Sequence, residues 1–139
     1  MIVSFFGHRS IYNSEELQAR LNDLILRLIE NGATEFLLGD YGQFDKLCAG
    51  LLQKQRALFP QIRLIYVQPY LDRIPELNYY DEYLYPPLER VPKKYAILRR
   101  NEWMIEKSDV IIIYTRVSYG GAAAALEYAK RKKKPIIDL

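Results

Sequence analysis

Two adjacent glycines in the second half of the chain have the sequence context of a phosphate-binding turn. Gly120 and Gly121 follow the apolar run 110–114 and precede an Ala-rich segment that is typical of a helix. Glycine lets a ligand approach the backbone closely, and the first N–H groups of a helix lack internal partners and favour an anion. We therefore expect the phosphate of a nucleotide at this turn.

Two other connections carry polar residues where predicted strands end. The first predicted strand is followed by Gly7, His8, Arg9 and Ser10, and the second by Gly39, Asp40, Gly42 and Asp45. In an open parallel sheet, ligands bind beyond the carboxyl ends of the strands, so we expect these residues to line one crevice with the diglycine turn. Two interpretations of His8 stay open, namely contact with phosphate or ribose and a structural hydrogen bond within the turn.

The elements that position these residues follow from the alternation of apolar runs with helical patterns. Strands are predicted at about residues 2–7, 35–39, 62–67, 109–114 and 135–138. This alternation indicates an α/β fold in which helices cover both faces of a parallel sheet. We expect one Rossmann-like domain over residues 1–139, with three layers and a doubly wound, five-stranded parallel sheet of order 3-2-1-4-5.

The helices have recognisable ends and apolar faces. The first is predicted to be capped at Asn13, with Glu16 three residues later, and to stop at Asn31 and Gly32. The third is predicted at about residues 95–107. Cys48 falls on the apolar side of the second helix, which indicates a buried and inert thiol.

A Tyr- and Pro-rich segment at about residues 69–94 interrupts this alternation. Its prolines exclude a long helix, and its aromatic density argues against disorder. We interpret it as a long ordered loop. Four roles stay open: a lid, a base-stacking surface, a dimer contact, and simple packing over a sheet edge with the tyrosine hydroxyls in water.

Composition excludes several classes of protein. The chain has a net charge of +3, and most of its basic excess lies in residues 130–134 at the end of the last predicted helix. No apolar stretch approaches the roughly 18–20 residues that cross a bilayer, and no cluster has metal-ligand spacing. We therefore expect a cytoplasmic protein with no membrane partner, no metal and no cofactor.

The spacing of charged residues around the diglycine turn resembles the signature of the SLOG superfamily, which unites LOG phosphoribohydrolases with the DNA-processing protein DprA. The LOG signature pairs an Arg-x-x-x-Met helix with a strand led by Asp, and then Pro-Gly-Gly-x-Gly-Thr-x-x-Glu. Arg100 and Met104 keep the four-residue step, Asp109 falls nine residues after Arg100, and Glu127 falls six residues after Gly121. The resemblance spans nearly the whole chain.

The resemblance implies roles for two of these residues. LOG enzymes use this arginine and this glutamate to cleave the N-glycosidic bond of a nucleoside monophosphate. If the protein is an enzyme, Arg100 and Glu127 are therefore its expected catalytic pair, with Asn101 as a further ligand contact. Arg100 would neutralise phosphate or steady the leaving group, and Glu127 would bind ribose hydroxyls or stabilise an oxocarbenium-like centre.

Three departures from the signature weaken the expected grip on a 5′-phosphate. Tyr119 replaces the proline, Ala123 the third glycine and Ala124 the threonine. Binding of a nucleotide or a nucleotide-derived ligand, as a sensor or accessory protein, is therefore the leading hypothesis. A LOG-type N-glycosidase is the alternative, and single-stranded nucleic-acid binding is the weakest candidate because basic and aromatic residues are segregated along the chain. The resemblance also implies a homodimer.

Overall fold

The computed structural model describes residues 1–12, 14–76 and 78–139 and contains one six-stranded sheet. The strands are β1 (Ile2–Gly7), β2 (Glu35–Leu38), β3 (Arg63–Val67), β4 (Glu82–Leu84), β5 (Val110–Tyr114) and β6 (Ile136–Asp138). They are all parallel and lie in the order β4-β3-β2-β1-β5-β6. The expected three-layer, Rossmann-like parallel fold is thus confirmed, and the expected strand count is wrong by one.

The additional strand lies inside the segment that we predicted to be a loop. β4 pairs with β3 at the edge of the sheet, from the pairing of Glu82 with Ile65 to that of Leu84 with Val67. Asp81 fixes this pairing, because its carboxylate accepts the Leu64 N–H at 2.8 Å. A three-residue edge strand with a charged first residue has no apolar alternation, so the sequence pattern did not reveal it.

Four helices cover the two faces of the sheet. They are α1 (Glu15–Glu30), α2 (Gln43–Leu58), α3 (Ala96–Lys107) and α4 (Gly121–Arg131), and a short 3-10 turn at Lys93–Tyr95 precedes α3. One apolar cluster packs α1 and α2 against the sheet, and a second packs α3 and α4 against the opposite face. Cys48 is fully buried in the first cluster, as predicted.

The cap of the first helix lies one residue later than predicted. Ser14 caps α1, because its Oγ accepts the Leu17 N–H at 3.0 Å. Asn13 lies outside the described residues. Asn31 ends the helix, and Gly32 follows in the left-handed region at φ +100°, as the sequence pattern predicts.

The Tyr-rich segment packs over the β3 edge of the sheet. The rings of Tyr80 and Tyr83 lie 5.6 Å from the ring of Tyr66, and the Tyr80 hydroxyl donates to Asp40 at 2.8 Å. Of the four open roles, packing is therefore observed for this pair, although the Tyr80 hydroxyl is held by a carboxylate instead of water. Within the described ranges, every helix is too short or too polar to span a lipid bilayer.

Candidate functional site

A cavity of about 200 Å³ opens at the carboxyl ends of β1 and β2, between α3 and the start of α4. Because β1 lies between β2 and β5, the chain connections diverge to opposite faces of the sheet here, which is where open α/β sheets form their ligand crevices. Most of the residues that we named from the sequence line it: Gly7, His8, Arg9, Gly39, Asp45, Arg100, Asn101, Gly120 and Gly121.

Arg100 is the largest fully buried side chain of the site, with 2% of its surface exposed. Its Nη1 donates to the carbonyl oxygens of Val67 at 2.8 Å and Gly39 at 3.3 Å, and its Nε donates to Asn101 at 2.8 Å. These bonds fix the guanidinium plane at the ends of β2 and β3. A buried arginine needs such partners because desolvation penalises its charge.

The absence of a side chain at residue 39 makes room for this guanidinium. A β-carbon placed on Gly39 would lie 2.8 Å from Arg100 Cζ. The sequence pattern marked Gly39 as a turn residue, whereas its observed role is to let a planar cation lie against the backbone.

Asp45 supplies a carboxyl group to the same cavity from the first turn of α2. Burial raises its pKa from 3.8 to about 7, although the Tyr41 N–H, which donates to Oδ2 at 2.9 Å, and the positive charge of Arg100 both oppose this rise. Burial lowers the pKa of Arg100, and Asp45 partly offsets that. The cavity therefore holds a cation whose nearby acid keeps its proton to a much higher pH than an exposed Asp does.

The start of α4 forms the opposite wall of the cavity. Gly120 precedes the helix at φ +89°, a backbone conformation that glycine adopts readily, and no side chain caps the helix end. The first intrahelical bond there runs from the Ala124 N–H to the Gly120 carbonyl at 3.0 Å. The N–H groups of residues 121–123 precede it and have no partner inside the helix, so this end favours an anion.

The start of α2 differs from this, although it also follows a glycine turn. Its Gln43 N–H donates to the Arg9 carbonyl at 2.8 Å, and its Phe44 N–H donates to the His8 carbonyl at 3.4 Å. Two N–H groups at this helix end therefore already donate to backbone carbonyls. Of the two glycine turns, the one at α4 is the better anion site.

His8 has a structural hydrogen bond at the rim of the cavity. Its Nε2 accepts the Arg116 N–H at 2.7 Å, so Nε2 carries no proton in this arrangement. This bond ties the end of β1 to the link between β5 and α4. A structural hydrogen bond of His8 is therefore observed, but it joins two connections instead of lying within the turn as expected. The position of His8 in the cavity wall also allows ligand contact.

Glu127 does not line the cavity, which corrects the expectation that it shares a pocket with Arg100. Its side chain is 72% exposed and lies 3.9 Å from Lys130, one turn further along α4. The spacing from the diglycine turn matches the LOG signature, but α4 starts at Gly121 and turns this position toward solvent.

Three other predicted ligand residues line a neighbouring cavity instead. Ser10, Asp40 and Gly42 line it together with Tyr41, which also lines the cavity of Arg100. Asp40 is buried and accepts the Glu76 N–H and the Tyr80 hydroxyl, both at 2.8 Å, so it anchors the Tyr-rich segment.

Sequence reasoning missed the apolar and aromatic part of the wall. Phe5, Phe6, Tyr41, Ile97, Val117, Tyr119 and Ala122 also line the cavity. Tyr119 was visible as the replacement of the signature proline, and Tyr41 lies between two predicted ligand residues, but neither position indicates by itself where the side chain lies. Among the described residues, no group of three or more His, Cys, Asp and Glu side chains is arranged to hold a metal ion.

Comparison with known proteins establishes the fold. No protein-family model and no curated protein matches the chain. TM1055, a structural-genomics target, is 16% identical with a TM-score of 0.67, and the match covers 97% of this chain and 71% of that one. DNA processing protein A from Helicobacter pylori, whose structure is described in terms of its single-stranded DNA binding mode, is 23% identical with a TM-score of 0.70. The match covers 99% of this chain and 64% of that one.

These identities are low, so the two structures inform the fold and not the activity. The chain spans less than two thirds of the length of the DprA chain that it matches. The fold that the sequence resemblance implies is confirmed, since both structures share it over nearly the whole of this chain.

Proposed function

We propose that the protein binds a nucleotide or a nucleotide-derived ligand in the cavity at the ends of β1 and β2. The observation that carries this proposal is that the buried Arg100 guanidinium and the uncapped start of α4 line the same cavity from opposite walls. Both favour an anion, and the carboxyl that faces them, Asp45, loses its charge easily because of its raised pKa.

The size of the cavity limits which part of the ligand it encloses. Sites that enclose a whole small molecule measure about 300–1,000 Å³, and this cavity is about 200 Å³. We infer that it holds the phosphate and sugar. The base would lie toward the rim, where Tyr119, with 74% of its surface exposed, offers an aromatic face.

A matched pair of variants at the α4 terminus tests this proposal. Gly121→Asp adds a carboxylate where the phosphate would bind, and Gly121→Asn adds nearly the same volume without charge. Both should fold, because no atom lies within 4 Å of a β-carbon at this position and polar residues suit the first turn of a helix.

Thermal shift against AMP, GMP, ADP-ribose and NAD supplies the readout, with adenosine as the phosphate-free control. We expect a nucleotide to raise the melting temperature of the wild type and of Gly121→Asn, and not of Gly121→Asp. The absence of a shift with every nucleotide, or an equal shift in both variants, would contradict the proposal.

A LOG-type N-glycosidase is the second candidate, and Asp45 is the observation that favours it. Asp45 is the one carboxyl among the described residues that line the cavity, and a pKa of about 7 suits an acid that donates a proton near neutral pH. In this reaction the bond between ribose C1′ and the base breaks, the base leaves with its electron pair and takes a proton, and water adds hydroxide to C1′. Ribose 5-phosphate and free base are the products.

Product analysis separates this candidate from simple binding. We expect an enzyme to release free base from at least one nucleoside monophosphate, and we expect Asp45→Asn to abolish the release. If no base is released from any substrate, the protein is a binding protein only.

Single-stranded nucleic acid stays a third candidate. The binding mode described for the DprA neighbour cuts against our expectation that nucleic acid is the weakest partner. Binding of a fluorescent oligonucleotide at low ionic strength tests it, because backbone contacts with phosphates weaken steeply with salt. Undetectable binding under those conditions would remove this candidate.

A further inference from the structure

A second cavity lies on the other side of Tyr41, and its lining is almost entirely polar. It measures about 410 Å³, and its wall includes Arg9, Tyr41, Lys46 and Arg73. Arg9 and Tyr41 line both cavities, so the two are adjacent. One ligand with two anionic groups could therefore contact both.

Two guanidinium groups lie against the ring of Tyr41. Arg9 Cζ is 4.8 Å from the ring centroid, and Arg73 Cζ is 5.5 Å from it. The aromatic ring holds both cations in place through cation–π attraction, although like charges repel each other. Two planar guanidinium groups, each with several N–H donors, thus lie against one aromatic ring.

The carboxylates of this second cavity are already occupied by other groups. Glu76 pairs with Lys46 at 2.6 Å, and Asp40 accepts the Tyr80 hydroxyl and the Glu76 N–H. Across residues 1–12, 14–76 and 78–139, no carboxylate lies within 4.0 Å of the guanidinium of Arg9 or Arg73. Arg73 also lies close enough to Arg100 to lower its pKa. Lys46 and, to a smaller extent, Arg73 lower the pKa of Glu76, so this carboxylate partly offsets the positive charge of the cavity. In the described ranges, however, the guanidinium donors of Arg9 and Arg73 have no carboxylate partner within 4.0 Å.

We propose that Arg9, Arg73 and Tyr41 form a second anion subsite, which takes the second phosphate group of a ligand whose first phosphate binds at the α4 terminus. This inference rests on the proposed nucleotide binding and specifies its ligand class: a molecule with two phosphate-bearing nucleotide units, such as a dinucleotide, instead of a mononucleotide. A planar guanidinium fork matches two oxygens of a carboxylate or a phosphate, and two forks on one anion need more acceptor oxygens than a single carboxylate has, which favours a phosphate group.

Arg73 is the residue that distinguishes the two subsites, because it lines the second cavity and not the first. Arg73→Gln removes its charge and its cation–π contact with Tyr41, while the Arg73 backbone carbonyl still accepts the Gln68 side-chain amide. Arg90→Gln is the matched control, since Arg90 lines a separate groove beside α3. Calorimetric titration with AMP and with the dinucleotide pApA compares one phosphate-bearing unit with two.

We expect the wild type and Arg90→Gln to bind pApA at least about tenfold more tightly than AMP, as an additional charge-assisted contact implies. Arg73→Gln should lose most of that difference while its affinity for AMP is unchanged. The affinity for pApA should also fall more steeply with salt in the wild type than in Arg73→Gln.

The outcomes separate this inference from the proposed function. If AMP binds but pApA binds no more tightly, or if Arg73→Gln and Arg90→Gln lose the same amount, the second subsite is refuted while nucleotide binding stands. If neither AMP nor pApA binds to the wild type, both proposals fail together.

Discussion

Arg100 Cζ lies 2.8 Å from the point where a β-carbon on Gly39 would be, and Arg100 Nη1 donates to the Gly39 carbonyl at 3.3 Å. A charged side chain from the first half of α3 thus packs directly on the backbone at the end of β2. The guanidinium can lie at this place in the cavity only because residue 39 has no side chain. Two elements that are distant in sequence depend on each other through this one contact.

Gly39→Ala should displace the Arg100 guanidinium. The added methyl group overlaps a buried, hydrogen-bonded group, so we expect a loss of about 1–3 kcal/mol in the free energy of unfolding, together with weaker nucleotide binding. Gly50→Ala is the control, because this helical position has no atom within 4 Å of the added carbon and should gain up to about 1 kcal/mol. Urea unfolding measures both. Equal stability changes in the two variants would contradict the close packing.

The pKa of Asp45 predicts how stability depends on pH. Its folded-state pKa of about 7 lies above the unfolded value of 3.8, so the folded state holds this proton more tightly. The resulting stabilisation is fully present below pH 3.8 and is lost as pH rises to about 7. Asp45→Asn removes this titration and keeps an oxygen acceptor for the Tyr41 N–H.

We therefore compare the free energies of unfolding of Asp45→Asn and the wild type at each pH. The difference should shift in favour of Asp45→Asn by roughly a few kcal/mol between pH 4 and pH 7.5. Denaturant titrations at four or five pH values measure it. A difference between the two proteins that does not change with pH would show that Asp45 titrates normally.

The sequence predicted the sheet well because parallel central strands require continuous apolar runs. Val110–Tyr114 and the other buried strands have that pattern, and their pairing order follows from the helical connections. β4 was not predicted, because main-chain hydrogen bonds and the Asp81 carboxylate hold it in the sheet, and neither leaves an apolar periodicity in the sequence.

The site was predicted only in part, because the spacing of residues along a helix does not determine which of them face the cavity. Gly7, Gly39 and Gly121 were identified because connections after parallel strands meet at one edge. Glu127 was wrongly expected in the cavity, because its match to the spacing of the LOG signature does not determine where α4 begins relative to the sheet and so which way this side chain faces. Arg73 was not named, because it lies in the irregular segment beyond β3, where no periodic pattern positions a side chain.

Tyr80→Phe should loosen the Tyr-rich segment. It removes the hydroxyl that donates to the buried Asp40 carboxylate, and a buried charge that loses a partner costs about 1–3 kcal/mol. Tyr83→Phe is the matched control in the same segment, because Tyr83 is 47% exposed and contacts Tyr66 through its ring. We expect faster proteolysis within residues 69–81 for Tyr80→Phe only. Equal cleavage rates for the two variants would show that this hydrogen bond does not hold the segment.

Glu127→Ala should change neither stability nor ligand binding. The side chain is 72% exposed, and its 3.9 Å pair with Lys130 is a surface contact that contributes little. We expect the free energy of unfolding to change by less than about 0.5 kcal/mol, with nucleotide affinity equal to that of the wild type within error. Gly121→Asp, measured in the same titration, should abolish binding and so demonstrates that the assay detects damage to the site. A large loss of affinity in Glu127→Ala would mean that this carboxylate reaches the ligand after all, and it would restore the catalytic pair that the LOG spacing implies.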